Sequence, residues 1–224
     1  MGSDDLHKKR KARTLKQKQR KIGIRKSYDR VLIVCEGHKT EPLYFNALRE
    51  HYQLHTANIE ISPSSGSDPM SIVNYAKTRY TEAKNEGNAF DKVYCVFDKD
   101  DHTNYPEAIQ ALANSRPSNV FFAITSVPCF EYWILLHFTY TTKPYFSVAK
   151  KSAANAVIDE LKNYIPKYEK NSCVFDLVKP HILFAIQNAK RANESAQKDS
   201  TDNPTTQIVE LVEYLIQLSK INIV

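Results

Sequence analysis

One stretch constrains the fold more than any other: residues 93–101, with the sequence VYCVFDKDD. Its five leading apolar residues, two of them β-branched, predict a buried strand of a parallel sheet. Three carboxylates, Asp98, Asp100 and Asp101, follow this strand at once, and His102 comes next. Because carboxylates this close repel one another, the stretch predicts either a bound cation or raised pKa values.

A second predicted strand of the same design, residues 31–35, ends at Glu36. Ligands of open α/β sheets bind beyond the carboxyl ends of parallel strands, so neighbouring strands would bring Glu36, Asp98 and Asp100 to one edge. Asp98 and Asp100 face the same way if the strand continues through both. Such oxygen ligands suit Mg²⁺ or Mn²⁺ better than zinc, and Asp101 would serve a second ion or cap the next segment.

The rest of the chain predicts an α/β fold with a parallel sheet of about four strands flanked by helices and followed by further helices. Predicted strands at residues 31–35, 58–62, 93–97 and 120–125 alternate with helices that start near Thr40, Asp68 and Pro106. Thr40 is expected to cap its helix, and Thr205 and Thr206 are expected to begin the last one. The predicted organisation is an arm at 1–30, a core at 31–127 and a mainly helical extension at 128–224.

The positive charge is concentrated at one end of the chain. The net charge is +6, but residues 1–30 hold 12 Lys and Arg against 3 Asp, whereas the remainder holds 19 against 22 acids. This asymmetry favours nucleic acid or another anionic partner. The residues predicted to contact nucleic acid are Lys8, Lys9, Arg10, Lys11, Arg13, Lys16, Lys18, Arg20, Lys21, Arg25 and Lys26.

Composition also limits the compartment. No apolar run approaches the roughly 20 residues that span a membrane, and no signal-peptide pattern is present. The four cysteines include no C-x-x-C pair, so neither a zinc ribbon nor a disulfide framework is expected. A reducing cytoplasm is therefore the predicted location.

Four motifs, taken in order, resemble the RloB-like family. They are LIVCEGHKTEPLYF at residues 32–45, VYCVFDKDDH at 93–102, PCFEYWILLHF at 128–138 and NPTT at 203–206. The glutamate after one strand and the D-x-D after a later one also resemble the Toprim domain, the metal-dependent fold of topoisomerases, bacterial primases and several nucleases. The resemblance to the RloB-like family covers about residues 30–220.

The resemblance implies a Toprim-type nuclease whose metal residues are Glu36, Asp98 and Asp100. It further implies a role in bacterial defence against phages, as the effector of an abortive-infection system that includes a separate ATPase. Such effectors tend to attack RNA, and transfer RNA is one plausible target. Self-association into a homo-oligomer is left open.

Several residues match the motifs without an assigned role. Lys39 and His102 are candidates for contacting phosphate or moving a proton, and Lys39 is included in the catalytic set. Glu41 and Glu131 are candidates for an additional part of the site. An acid such as Glu131 beside a long apolar run needs a partner, and it would be either a fourth metal carboxylate or the counter-ion of a buried base. His137 is expected to be a core histidine.

Three alternatives remain open at this point. The first is a non-catalytic Toprim-like module that holds nucleic acid or regulates a partner. The second is a phosphohydrolase of the haloacid dehalogenase type, which also has D-x-D after a strand, but after its first strand rather than its third. The third is a topoisomerase or primase fragment, which the length disfavours, because no nucleophilic tyrosine domain or zinc ribbon accompanies the predicted core.

Overall fold

The computed structural model describes residues 29–54, 58–64, 66, 68–99 and 102–221. The basic residues from Lys8 to Lys26 that were assigned to nucleic acid lie outside the described residues. The same is true of two residues predicted to bind metal, Asp100 and Asp101.

Five strands of the described chain form one sheet in the order β2-β1-β3-β4-β5. They are β1 (Val31–Cys35), β2 (Ile59–Pro63), β3 (Lys92–Asp98), β4 (Phe121–Val127) and β5 (Thr205–Thr206). The first four strands are parallel to one another, and β5 is antiparallel to β4. This arrangement confirms the predicted α/β class and its mainly parallel sheet.

The helices fall into two groups. Three connect the parallel strands: α1 (Thr40–His51), α2 (Pro69–Asn85) and α3 (Tyr105–Ala113). The others follow β4, where the sequence predicts further helices: α4 (Phe130–Leu135), α5 (Ala153–Leu161), α6 (Phe175–Val178), α7 (Ile182–Lys198) and α8 (Ile208–Ile221), with a 3₁₀ turn (Lys179–His181) before α7.

Both faces of the sheet are covered at its centre, which explains why β1 and the middle of β3 are continuous apolar runs. In β1, Leu32 and Val34 pack with residues of α2 and α3, whereas Val31, Ile33 and Cys35 pack with α1 and the helices after β4. All five residues of β1 are fully buried. The larger core therefore joins the sheet to the helical extension, because it holds residues from both sides of Pro128.

The prediction that Thr205 and Thr206 begin the last helix is wrong. They form β5 beside the end of β4, and α8 starts at Ile208. Thr206 is held there by side chains distant in the sequence. Its hydroxyl lies 3.0 Å from that of Ser126, and the Asn193 side chain bonds both its backbone N–H and its carbonyl, at 3.0 and 2.8 Å.

Candidate functional site

The carboxyl ends of β1 and β3 meet, because these strands pair in parallel with Cys35 opposite Val96. Glu36 follows directly. Its backbone N–H donates to the carbonyl of Val96 at 3.0 Å, and its Oε2 accepts from the backbone N–H of Asp98 at 3.0 Å. Two residues that the sequence places at one edge of the sheet are therefore joined by a hydrogen bond.

Two further carboxylates join them. Glu41 lies in the first turn of α1, just after β1, and Glu131 lies in the first turn of α4, just after β4. Since β4 pairs with β3, the start of α4 is brought beside Asp98. We call Glu36, Glu41, Asp98 and Glu131 the carboxylate cluster.

The cluster shows its crowding in the pKa values of its members. Burial raises the pKa of Asp98 well above its usual range, and the charges of Glu41, Glu131 and Glu36 raise it further. Burial is also the main cause that raises the pKa of Glu41 to about 7, with contributions from Glu131 and Glu36. The mutual effect of these carboxylates on the pKa values of Asp98 and Glu41 indicates that they lie close to one another.

Gly37 allows Glu41 to approach the turn after β1. A Cβ atom at this position would lie 3.0 Å from Oε2 of Glu41, which is closer than side chains normally pack. The absence of a side chain at Gly37 therefore permits this close approach.

Two partners of the cluster come from the segment between α5 and α6, which the sequence identifies only as a polar break. The Tyr168 hydroxyl donates to Oε1 of Glu131 at 3.1 Å, and Nζ of Lys170 lies 3.9 Å from the same oxygen. Glu131 is 2% exposed, so it has the partners that a buried acid needs. Its burial indicates that partners exist, but no spacing in the sequence indicates which ones.

Thr40 holds this segment in place, and the prediction that it caps α1 is wrong. Thr40 is the first residue of the helix, and its buried hydroxyl donates to the carbonyl of Lys170. The N-terminal flanking position belongs to Lys39, which makes no side-chain capping hydrogen bond. The hydroxyl is used for a tertiary contact because the Lys170 segment packs against the start of the helix.

Two other predicted site residues, His102 and Lys39, are described by the structure. His102 places Nε2 at 3.5 Å from Oε1 of Glu36, with a partly exposed side chain. Lys39 is exposed at the start of α1. Lys99 forms an ion pair with Asp202.

His137 is a core residue, as expected: its Nδ1 lies 3.0 Å from the carbonyl of Trp133, and burial lowers its pKa to about 4.

The oxygen ligands of the carboxylate cluster are of the type that a hard divalent cation prefers, but the described residues are not arranged to bind one. All four members of the cluster offer carboxylate oxygens, which Mg²⁺ and Mn²⁺ prefer. Within the described ranges, however, no three His, Cys, Asp or Glu residues are arranged so that they could hold a metal ion. β3 ends at Asp98, so the argument that Asp98 and Asp100 face the same way along one strand does not apply.

Fold and site together define an α/β protein with a mostly parallel sheet and a carboxylate cluster at its carboxyl edge. A model of the RloB-like protein family matches residues 31–215, a range that contains the whole cluster. The chain therefore belongs to the RloB-like protein family, as its four motifs predict. No curated protein and no solved structure matches it. In the described part of the chain, no helix has both the length and the apolar character needed to cross a membrane.

Proposed function

We propose that this protein is a metal-dependent nuclease that hydrolyses phosphodiester bonds of nucleic acid, with RNA as the favoured substrate. One observation carries the proposal: four carboxylates from separate segments converge beyond the carboxyl ends of β1, β3 and β4, where open α/β sheets bind ligands. Family membership and the resemblance to Toprim nucleases support it.

In this proposal Glu36 and Asp98 are the principal metal residues, together with Asp100 and Asp101 from the adjoining segment outside the described residues. A bound Mg²⁺ or Mn²⁺ would activate water, orient the phosphate and offset charge on the leaving oxygen. Because the described carboxylates are not arranged to hold an ion by themselves, metal binding requires those neighbours or a movement of the cluster.

The chain's own residues have distinct tasks. The Asp98 backbone N–H fixes one oxygen of Glu36, and the Tyr168 hydroxyl orients Glu131. His102, beside Glu36 and partly exposed, is proposed to contact phosphate or to move a proton at Nε2. Lys39 at the exposed start of α1 is proposed to contact phosphate.

The biological setting is proposed from the family resemblance. We infer that the protein acts in the cytoplasm as the effector of an abortive-infection system against phages, with a partner ATPase. Transfer RNA is one target that fits this role, and the basic residues from Lys8 to Lys26 would contribute sequence-independent affinity for the phosphate backbone.

The direct test is incubation of the purified full-length protein with total cellular RNA and with plasmid DNA, in Mg²⁺, in Mn²⁺ and in EDTA. We expect cleavage of RNA in the presence of either metal and none in EDTA. Equal cleavage in EDTA would contradict the metal-dependent mechanism, and no cleavage under any condition, with or without the partner ATPase, would contradict nuclease activity.

A second candidate is a non-catalytic module that binds nucleic acid or regulates its partner. It is favoured by the same observation that limits the metal site: Lys170, Tyr168 and His102 already face carboxylates of the cluster, which has no three-ligand arrangement among the described residues. Nucleic-acid binding without cleavage, unchanged in Asp98→Ala, would support this candidate.

A further inference from the structure

The loop between α4 and α5 exposes large apolar side chains. Phe146 is 65% exposed and Val148 is 69% exposed. Residues 143–151 have the sequence KPYFSVAKK, with three lysines and no acid. The loop therefore combines exposed apolar side chains with lysines that are close to them in the sequence, which is a surface suited to an aromatic and anionic ligand.

The backbone on both sides of Phe146 is fixed. Buried Tyr145 donates its N–H to Oδ1 of Asn203 at 3.1 Å, and its carbonyl accepts from Nδ2 of Asn203 at 2.7 Å. On the other side, the Ser147 hydroxyl accepts from the N–H of Ala153 at 3.2 Å. Beyond it, residues 148 and 151 exchange two backbone hydrogen bonds, of 2.9 and 3.0 Å. The ring is thus presented on an ordered backbone, which lowers the entropy cost of binding.

The same loop is connected to the carboxylate cluster at two points. Asn203 follows Asp202, whose carboxylate pairs with Lys99, the residue after Asp98. Near the start of the loop, the carbonyl of Thr141 accepts from the hydroxyl of Tyr132, the residue after Glu131. The loop is therefore joined to the residues that directly follow Asp98 and Glu131.

We propose that Phe146 is a stacking platform for one base of a single-stranded RNA, and that Lys143, Lys150 and Lys151 contact the adjacent phosphates. The inference rests on the proposed function and names how that site receives its substrate. Aromatic faces stack on any base, and lysines neutralise the backbone, which is the usual combination in proteins that bind single strands. Bases of a duplex are already stacked on one another, so a single strand fits better.

Two of these lysines have intramolecular partners. Lys143 lies 3.5 Å from Glu160, and Lys151 lies 2.6 Å from Asp159. Both lysines are about half exposed or more, and exposed ion pairs are weak, so a phosphate competes for them readily. In the sequence, Lys150 follows Phe146 and Val148 and precedes α5, and its side chain is exposed.

The experiment measures binding alone. Full-length protein in EDTA, where no cleavage is expected, is titrated into a fluorescein-labelled oligouridine RNA of about 12 nucleotides, and anisotropy gives Kd. Phe146→Ala should raise Kd about tenfold, as the loss of one base stack does, and Phe146→Trp should restore it. Lys150→Gln should lower the slope of log Kd against log salt by about 0.7. The matched control is Phe184→Ala, which removes a ring that is 45% exposed on α7.

The outcomes separate this inference from the proposed function. Unchanged binding by Phe146→Ala, or no binding of RNA by the wild type, would overturn the inference. Metal-dependent cleavage in the gel assay would still support the proposed nuclease activity in either case. An equal loss with a duplex probe would also overturn it, because a single-strand stack would not explain that loss. Loss of ATPase binding with unchanged RNA binding would assign the loop to a protein contact. Binding that depends on Phe146 without any cleavage would contradict the nuclease and leave the inference standing.

Discussion

The two edges of the sheet treat their acidic residues differently. At the edge where the strands begin, two acids accept from donors that are distant in the sequence: Asp91 accepts from the backbone N–H of Arg30 at 2.7 Å, and Asp29 accepts from the hydroxyl of Tyr214 at 2.7 Å. At the edge where the strands end, Asp98 faces three other carboxylates. Acids at the first edge join segments that are distant in the sequence, whereas acids at the second are gathered together, and burial and mutual repulsion raise the pKa values of Asp98 and Glu41 there.

This difference is informative because folding alone does not favour the second arrangement. Burying like charges together raises their pKa values and destabilises the ionised folded state. A cluster whose mutual repulsion would be reduced by a cation, a proton or a phosphate-bound ion indicates a binding site. Acids that are each paired with a donor indicate a structural role.

The largest contrast is expected in activity. If the nuclease proposal holds, Asp98→Ala and Glu36→Gln should each lower cleavage at least about 100-fold, since even residues behind the ligands of metal sites cost 10- to 100-fold. Asp91→Ala, at the opposite edge, should cut like the wild type. A gel assay with equal Mg²⁺ measures both. Full activity of Asp98→Ala would remove Asp98 from the catalytic set.

The pH dependence of stability should follow the raised pKa of Glu41. Its folded pKa of about 7 lies above the ordinary value of 4.5, so the folded state holds a proton that the unfolded state has lost between these values. The free energy of unfolding should therefore fall as pH rises from about 4.5 through 7, by more than about 1 kcal/mol. Urea denaturation in EDTA across this range measures the decline.

The control for this pH effect is Glu41→Gln, which removes the titrating group but keeps its size. It should flatten the decline while other groups continue to titrate. An equally steep decline in Glu41→Gln and the wild type would mean that other groups cause it.

A smaller contrast is expected in thermal stability without metal. Asp98→Asn relieves repulsion, so in EDTA its Tm should rise or stay unchanged. Asp91→Asn weakens a charge-assisted hydrogen bond worth about 1 kcal/mol, so its Tm should fall by about 2–4 °C. Differential scanning fluorimetry of both variants is sufficient. A clear fall for Asp98→Asn would show that this acid is structural after all.

The smallest effect is expected for the cation at the cluster. Lys170 is half exposed, and its Nζ lies 3.9 Å from Oε1 of Glu131. Lys170→Gln should therefore lower the free energy of unfolding by only about 0–1 kcal/mol. The loss should be larger above pH 7, where Glu41 is ionised, than at pH 5. The nearby exposed Lys167 provides the control as Lys167→Gln. A loss of equal size at both pH values would mean that Lys170 acts through packing.

The two central strands, β1 and β3, could be predicted because burial on both faces makes them continuous apolar runs. Residues 31–35 agree at both ends with β1, and β3 extends one residue beyond each end of the predicted strand. The start of α2 was equally predictable, since Asp68 accepts from the N–H groups of Met70 and Ser71 at 3.1 Å each. These features depend on local sequence.

Features that depend on distant contacts could not be predicted. β5 has two residues and no periodicity, and its position is set by Ser126 and Asn193. The proximity of Glu36 and Asp98 could be predicted, because ligand sites of open α/β sheets lie at the carboxyl ends of neighbouring parallel strands. Glu131 joins them only because β4 lies next to β3, and the partners Tyr168 and Lys170 come from a loop.

The short strand β5 also affects how copies of this protein can associate. β5 and the following Gln207 pair with β4 from Thr125 to Val127. The Gln207 side chain accepts from the N–H of Thr125, and the backbone N–H of Gln207 donates to the carbonyl of Thr125. At the other margin, β2 ends in Pro63, which has no N–H to donate. β5 therefore covers the carboxyl end of β4, and β2 lacks one backbone donor at its own carboxyl end. Both features disfavour the pairing of a strand from another copy beside β4 or β2 at the carboxyl edge of the sheet.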